Sequence, residues 1–380
     1  MRTTRREFLT AAGASAGSYS ARTRRGEIQA PSGPAAPGRD ASFLAANRQV
    51  LVWAEKAPLA LSVPTDPARV PAWRRVAGRD FRRMLGLELF PDGPPRTETL
   101  EQKRHGDLLV HRVAVTPAGE AGPWEAIVLE PADRSRRRPA WVCAHGHIPG
   151  GKATVTGLID AVPGAEPWLA RMECDYGLQL ARRGYITLSF DCPGFGARSD
   201  ADRLATPDSE MMLSALHVGR TYLGWCIADA IAALSVLRGW PTVDSDRIGT
   251  IGFSMGATVA AWTAAVDRRV KAVVYSGRVA SPRLRLLRDK KSSGALACVP
   301  GLMHLMEYGD VMGLVAPTRM LVSQEVRNDP EVAASRVEPL IRAYKALGVA
   351  DHLTVRFDDR GIHKFAGEPA YEWVQMLWPV

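Results

Sequence analysis

No apolar run in the sequence reads as long enough to cross a bilayer, which excludes a multi-spanning membrane protein. Neither C-x-x-C nor H-E-x-x-H occurs, so the spacings that commonly build zinc sites are missing and no metal is expected. The five cysteines, Cys143, Cys174, Cys192, Cys226 and Cys298, are odd in number and show no paired spacing. That excludes a dense disulfide framework, and those in predicted strands or helices read as small buried hydrophobes. The body of the chain has one dense basic run, Arg134 with Arg136, Arg137 and Arg138, set in a predicted surface turn without a nucleic-acid motif. Nucleic acid is therefore not an expected partner. No internal repeat is visible, and the first ninety residues are too short for a propeller of the kind that serine peptidases use to select substrates.

What is present is ordinary soluble composition: 46% hydrophobic and 23% charged residues over 380 positions. This suits one large α/β domain with an appendage. Residues 1–40 stand apart. Arg5-Arg6-Glu7-Phe8-Leu9 followed by "TAAGASAGSYSA" resembles a twin-arginine export signal, and the "GPAAPGRD" run from Gly33 to Asp40 reads as a flexible linker. Export to the periplasm or beyond is the resulting expectation. The same forty residues carry +4 of the chain's +9, so much of the basic balance belongs to the tail.

Residues 41–130 read as an extension. Its helical part is interrupted by Pro64, Pro67 and Pro71, and an antiparallel pair follows over 107–117 and 124–131. Residues 131–380 read as the catalytic domain. Apolar strands over 141–145, 185–191, 247–253, 270–277, 319–323 and 352–358 alternate there with helices near 167–183, 221–238, 255–266, 329–347 and 370–377. Such alternation predicts a mostly parallel sheet covered on both faces.

One pentapeptide organises this region. Gly252-Phe253-Ser254-Met255-Gly256 sits between a buried strand and an Ala-rich helix, the setting of a nucleophile elbow, with Ser254 lifted on a sharp turn. A serine hydroxyl is a weak nucleophile at neutral pH and needs a base, which in turn needs an acid to fix its tautomer. His363, in a glycine-containing loop after the last strand, is positioned as the base. Asp329 is the preferred acid and Glu325, nearer the strand end, the alternative; both also suit a helix start at "NDPE". Met255 N–H supplies one oxyanion donor, and His147 or Ile148 in "HGHIPGG" the second, since Pro149 has no N–H. His145-Gly146-His147 is not read as a metal site, since no C-x-x-C or H-E-x-x-H spacing accompanies it. Trp225, Trp262, His304, Met306 and Tyr308 could line a pocket or be ordinary core.

Together "AHGHIPGGK", "YGLQLARRGYITLSFDCPGFGARSD", "VDSDRIGTIGFSMGA", "CVPGLMHLMEYGDVMGLVAP" and "IHKFAG" resemble, in this order, the bacterial α/β-hydrolases related to acetyl xylan esterases and dienelactone hydrolases. The resemblance runs from about Trp73 to the carboxyl terminus. It implies an α/β-hydrolase fold, a triad of Ser254, Asp329 and His363, no cofactor, and a small-molecule or carbohydrate ester as substrate. A lactone hydrolase, a peptidase or a non-catalytic binding protein are the competing expectations. The acid side, "SQEVRNDPEVAAS", departs from the family pattern, so Asp329 and Glu325 both stay open.

Overall fold

The computed structural model describes residues 46–380 apart from 120–121, 159, 161, 201–205, 208 and 327–328. The export-type segment and linker therefore lie outside the described residues. The chain divides into one unit over 1–49 and one over 50–380, and the fold below is that of the second.

A single nine-stranded sheet runs through it: β1 (Arg96–His105), β2 (Leu108–Thr116), β3 (Trp124–Pro131), β4 (Arg138–Ala144), β5 (Ile186–Phe190), β6 (Val243–Phe253), β7 (Ala272–Gly277), β8 (Arg319–Glu325) and β9 (Leu353–Asp358). The spatial order is β1-β2-β3-β5-β4-β6-β7-β8-β9. β1, β2, β3 and β5 pair antiparallel; from β5 through β9 every pairing is parallel. β1 is the one strand that the periodicity does not reveal, because its residues are almost all exposed and polar.

Side-chain alternation explains why helices cover both faces. Along β4, Ala140, Val142 and Ala144 face a core shared with the helices Tyr222–Gly239 and Met255–Val266. Trp141 and Cys143 face the opposite core, shared with the helices Tyr176–Arg182 and Glu368–Leu377. The helix Tyr222–Gly239 has the length and apolarity to cross a membrane, but 67% of it is buried inside the fold, and Asp229 on it pairs with Arg198.

β2 and β3 belong to the main sheet, and the helix Val70–Met84 buries Val70, Trp73, Ala77 and Phe81 at helical spacing. Phe81 meets Trp262, on the helix after the elbow, edge to face with ring centroids 5.0 Å apart. Trp262 is fully buried, so truncating it to Ala would cost about 3–5 kcal/mol. The predicted helix over 167–183 is two helices, Glu166–Met172 and Tyr176–Arg182, broken where Glu173 takes a left-handed φ of 47°.

Candidate active site

The site forms where the parallel strands end. β6 stops at Phe253, and Ser254 turns the chain with φ 57° and ψ −117°, a conformation that L-residues avoid. The turn is possible because its glycines leave room. A Cβ on Gly252 would lie 2.1 Å from Gly256 O, and one on Gly256 would lie 1.9 Å from Ala144 O. Ser254 N–H donates to Ser276 O on neighbouring β7 at 2.9 Å, which fixes the turn against the sheet.

His363 arrives from the loop after β9, where its ring lies 4.6 Å from that of Phe253. Two anchors hold this loop: Phe365 N–H donates to Met172 O at 2.9 Å, and Ala366 N–H to Ser276 Oγ at 2.9 Å. His363 Nε2 lies 2.9 Å from Ser254 Oγ. Its Nδ1 is hydrogen-bonded to Glu325 Oε1. A carboxylate on Nδ1 keeps the ring proton there and leaves the Nε2 lone pair to accept the serine proton.

The preferred acid is therefore corrected. Asp329 does not reach His363. Its carboxylate caps the helix Pro330–Ala346 by accepting from Val332 N–H at 3.0 Å, and it pairs with Arg288 Nη1 at 2.5 Å. The Val332 N–H and the Arg288 guanidinium together hold this carboxyl below its usual range. Glu325 takes the place by His363 because β8 continues two residues beyond Ser323, keeping register with β9 up to the pair Glu325 and Asp358. It is buried, at 3% exposure.

The geometry also separates the two candidates for the second oxyanion donor. Ile148 N–H already donates to Gly146 O at 2.9 Å. His147 N–H has no acceptor among the described residues, and His147 borders the same cleft as Ser254 and Met255. Met255, in the first turn of its helix, has an N–H without an intrahelical partner.

A buried network stiffens this loop from behind. His145 Nδ1–H donates to Gly146 O at 2.7 Å while its Nε2 accepts from Cys192 N–H at 2.9 Å. That pairing defines the tautomer, and burial holds the ring's pKa below the ordinary histidine value. Tyr176 O–H donates to Ala144 O at 2.5 Å. Lys152 Nζ meets Asp191 Oδ2 at 2.5 Å, and Asp191 Oδ1 accepts Lys152 N–H at 2.7 Å. Sequence reasoning missed Asp191 and Lys152; an aspartate ending a buried strand was the available signal.

The cleft over Ser254 has a volume of about 520 Å³ and is bordered by His147, Met255, Tyr308 and His363, with Arg278 and Arg336 on its rim. Of the five residues named as possible lining, Tyr308 alone borders it. Trp262 and Met306 are core, His304 borders a neighbouring apolar pocket, and Trp225 borders a larger cavity of about 750 Å³ that contains none of these groups.

Fold and constellation together define an α/β-hydrolase. The chain belongs to the Abhydrolase family, whose model matches residues 120–356, a span that holds Ser254 and Glu325. It is 30% identical over 282 residues to "Putative hydrolase YtaP" of Bacillus subtilis, covering 72% of this chain and 90% of that protein. Among solved structures, a putative acetyl xylan esterase from Bacteroides fragilis superposes with a TM-score of 0.74 at 17% identity, covering 88% of this chain and 95% of the other. A glucuronoyl esterase from Solibacter usitatus gives 0.53 at 16% identity over 84% and 96% of the two chains.

Proposed function

We propose that the protein is a serine esterase that cleaves a carboxylic ester through an acyl-enzyme. The observation that carries this reading is the line of contacts from Ser254 Oγ to His363 Nε2, at 2.9 Å, and from His363 Nδ1 to Glu325. Ser254 Oγ attacks the ester carbonyl as its proton passes to Nε2, and Glu325 stabilises the imidazolium that forms. The N–H groups of Met255 and His147 receive the oxyanion. His363 then hands the proton to the leaving alcohol, which departs and leaves the acyl group on Ser254. Water repeats the sequence, giving its proton to His363 and its oxygen to the acyl carbon, and Ser254 is regenerated as the acid leaves.

The substrate class we propose is an acetylated carbohydrate. Its support is the resemblance to acetyl xylan esterases, together with the fold shared with a structure bearing that description. We further propose that Arg5-Arg6 and the segment behind them direct export; replacing both arginines with lysine would then hold the protein in the cytoplasmic fraction. The test of the enzymatic reading is acetate release from acetylated sugars, aryl acetates and lactones by wild type and Ser254→Ala, with a serine-directed phosphonate as a second readout. Turnover and labelling are expected to vanish in Ser254→Ala. Equal labelling of the variant would refute the nucleophile, and turnover of lactones alone would refute the sugar-ester assignment.

A further inference from the structure

The rim of the Ser254 cleft is unusually cationic. Arg278, which follows β7, Arg285 on the short helix Pro282–Leu287, and Arg336 on the helix Pro330–Ala346 all border it, against one carboxylate, Asp289, among the described residues. Arg285 Nε donates to Ser292 O at 2.7 Å. Arg336 differs. It is half-buried, its Nε is sealed from solvent without an acceptor, and none of its guanidinium nitrogens has a hydrogen-bond or ion-pair partner among the described residues. Burial and the neighbouring Arg278 charge hold its pKa below the usual arginine value, with Asp289 and Asp329 offsetting part of that.

Other half-buried arginines have a carboxylate, as Arg198 with Asp229, Arg269 with Asp267 and Arg183 with Glu368, or a backbone carbonyl, as Arg82 with Val266 O and Arg283 with Glu55 O. Even Arg288, close to this rim and well exposed, has Asp329. Arg74 Nε is likewise buried without an acceptor among the described residues, but Arg74 does not border the Ser254 cleft. A guanidinium that is partly desolvated, beside a second cation, and without a hydrogen-bonded anion among the described residues is costly unless an anion arrives with the ligand. Its planar fork matches the oxygens of a carboxylate or sulfate.

We infer that the ester this site hydrolyses carries a negatively charged group, a carboxylate or a sulfate, which docks on Arg336 beside Arg278 while the ester carbonyl lies at Ser254. The inference rests on the esterase reading above and deepens it: the acetylated sugar is an acidic one. Guanidinium recognition is shared by both anions, so the assay separates them.

The experiment compares kcat/KM for acetate release from acetylated glucuronate, acetylated glucose 6-sulfate and acetylated glucose, by wild type, Arg336→Gln and Arg336→Lys. Wild type is expected to favour at least one acidic ester over the neutral one by roughly ten- to hundredfold, the range of a charge-assisted pair. That preference should shrink as ionic strength rises, which needs no variant. In Arg336→Gln the acidic-to-neutral ratio should fall towards one, mainly through KM, and Arg336→Lys should keep part of it. A preference confined to the sulfate ester, or to the glucuronate, identifies which anion is read. Turnover of the neutral ester by wild type with no acidic preference, or a preference indifferent to salt and to Arg336→Gln, overturns the inference and leaves the esterase reading standing. If wild type releases acetate from none of the three, and from no other ester, that reading falls and this one with it.

Discussion

Glu325→Gln exchanges one oxygen and one charge at a position that does not border the cleft, and its effect on turnover should be large. Glu325 is 3% exposed and its partner is His363 Nδ1. A neutral amide there can donate its N–H to Nδ1, which moves the ring proton to Nε2. Ser254 Oγ, 2.9 Å away, would then face a donor where it needs an acceptor. With the wrong tautomer and an unshielded imidazolium, kcat should fall roughly 10³- to 10⁴-fold while KM changes little. Asp329→Asn is the matched control. Asparagine still caps the helix Pro330–Ala346, and the Arg288 pair that is lost is solvent-exposed, so turnover should stay within about twofold of wild type. Initial rates of acetate release over a range of substrate concentrations separate kcat from KM for both variants. A greater loss of kcat in Asp329→Asn than in Glu325→Gln would refute the assignment.

Three further outcomes follow from the surrounding structure. Gly256→Ala drives a Cβ to 1.9 Å from Ala144 O, an overpacking of backbone on backbone expected to cost roughly 3 kcal/mol or more; a denaturant midpoint equal to wild type would contradict it. Lys152→Met leaves buried Asp191 with backbone donors alone, and should destabilise the protein by roughly 3 kcal/mol in urea unfolding. For pH, burial holds His145 below its ordinary pKa, so the unfolded chain takes up that proton first as pH falls through about 6.5. The stability His145 contributes is thus present above that pH and lost below it. Burial raises the carboxyl pKa of Glu307 and of Asp310, which acts in the opposite sense but equally in wild type and variant. His145→Gln should therefore lose less Tm than wild type on acidification from about pH 8 to about pH 5; parallel losses would count against the neutral clamp.

The legible parts of the molecule were those in which chemistry and pattern coincide. Apolar strands alternating with helices identified the parallel sheet, and G-x-S-x-G between strand and helix identified Ser254. A glycine-containing loop after the last strand identified His363. The acid was harder because Gln324 and Glu325 look like the polar end of a strand that has already stopped at Ser323. Both are in fact buried in β8, where Gln324 Oε1 accepts Val279 N–H at 2.8 Å and Glu325 faces His363. Buried polar residues at a strand terminus break the apolar rule for a functional reason. Asp329 drew attention by its position before a proline, and that signal was real, but it marked a helix cap. β1 was illegible for another cause: it pairs with β2 through the backbone and an Arg112–Glu101 ion pair while its side chains stay largely exposed, so no apolar face records it in the sequence.

β1 has a consequence for how the molecule behaves in company. A sheet of nine strands has two open sides, and each could recruit a strand from another copy. On one of them the outermost strand is "RTETLEQKRH", polar almost throughout and carrying both signs of charge, with an irregular register between Thr99 and Glu101. A second chain laid alongside would have to desolvate that row, and the break in register spoils a continuous ladder. If β1 alone were detached, β2 would become the border, and Leu108, Val113 and Val115, now buried, would sit on a strand with one side unpaired. The first symptom would be aggregation at working concentrations, with the residues around Ser254 still in place.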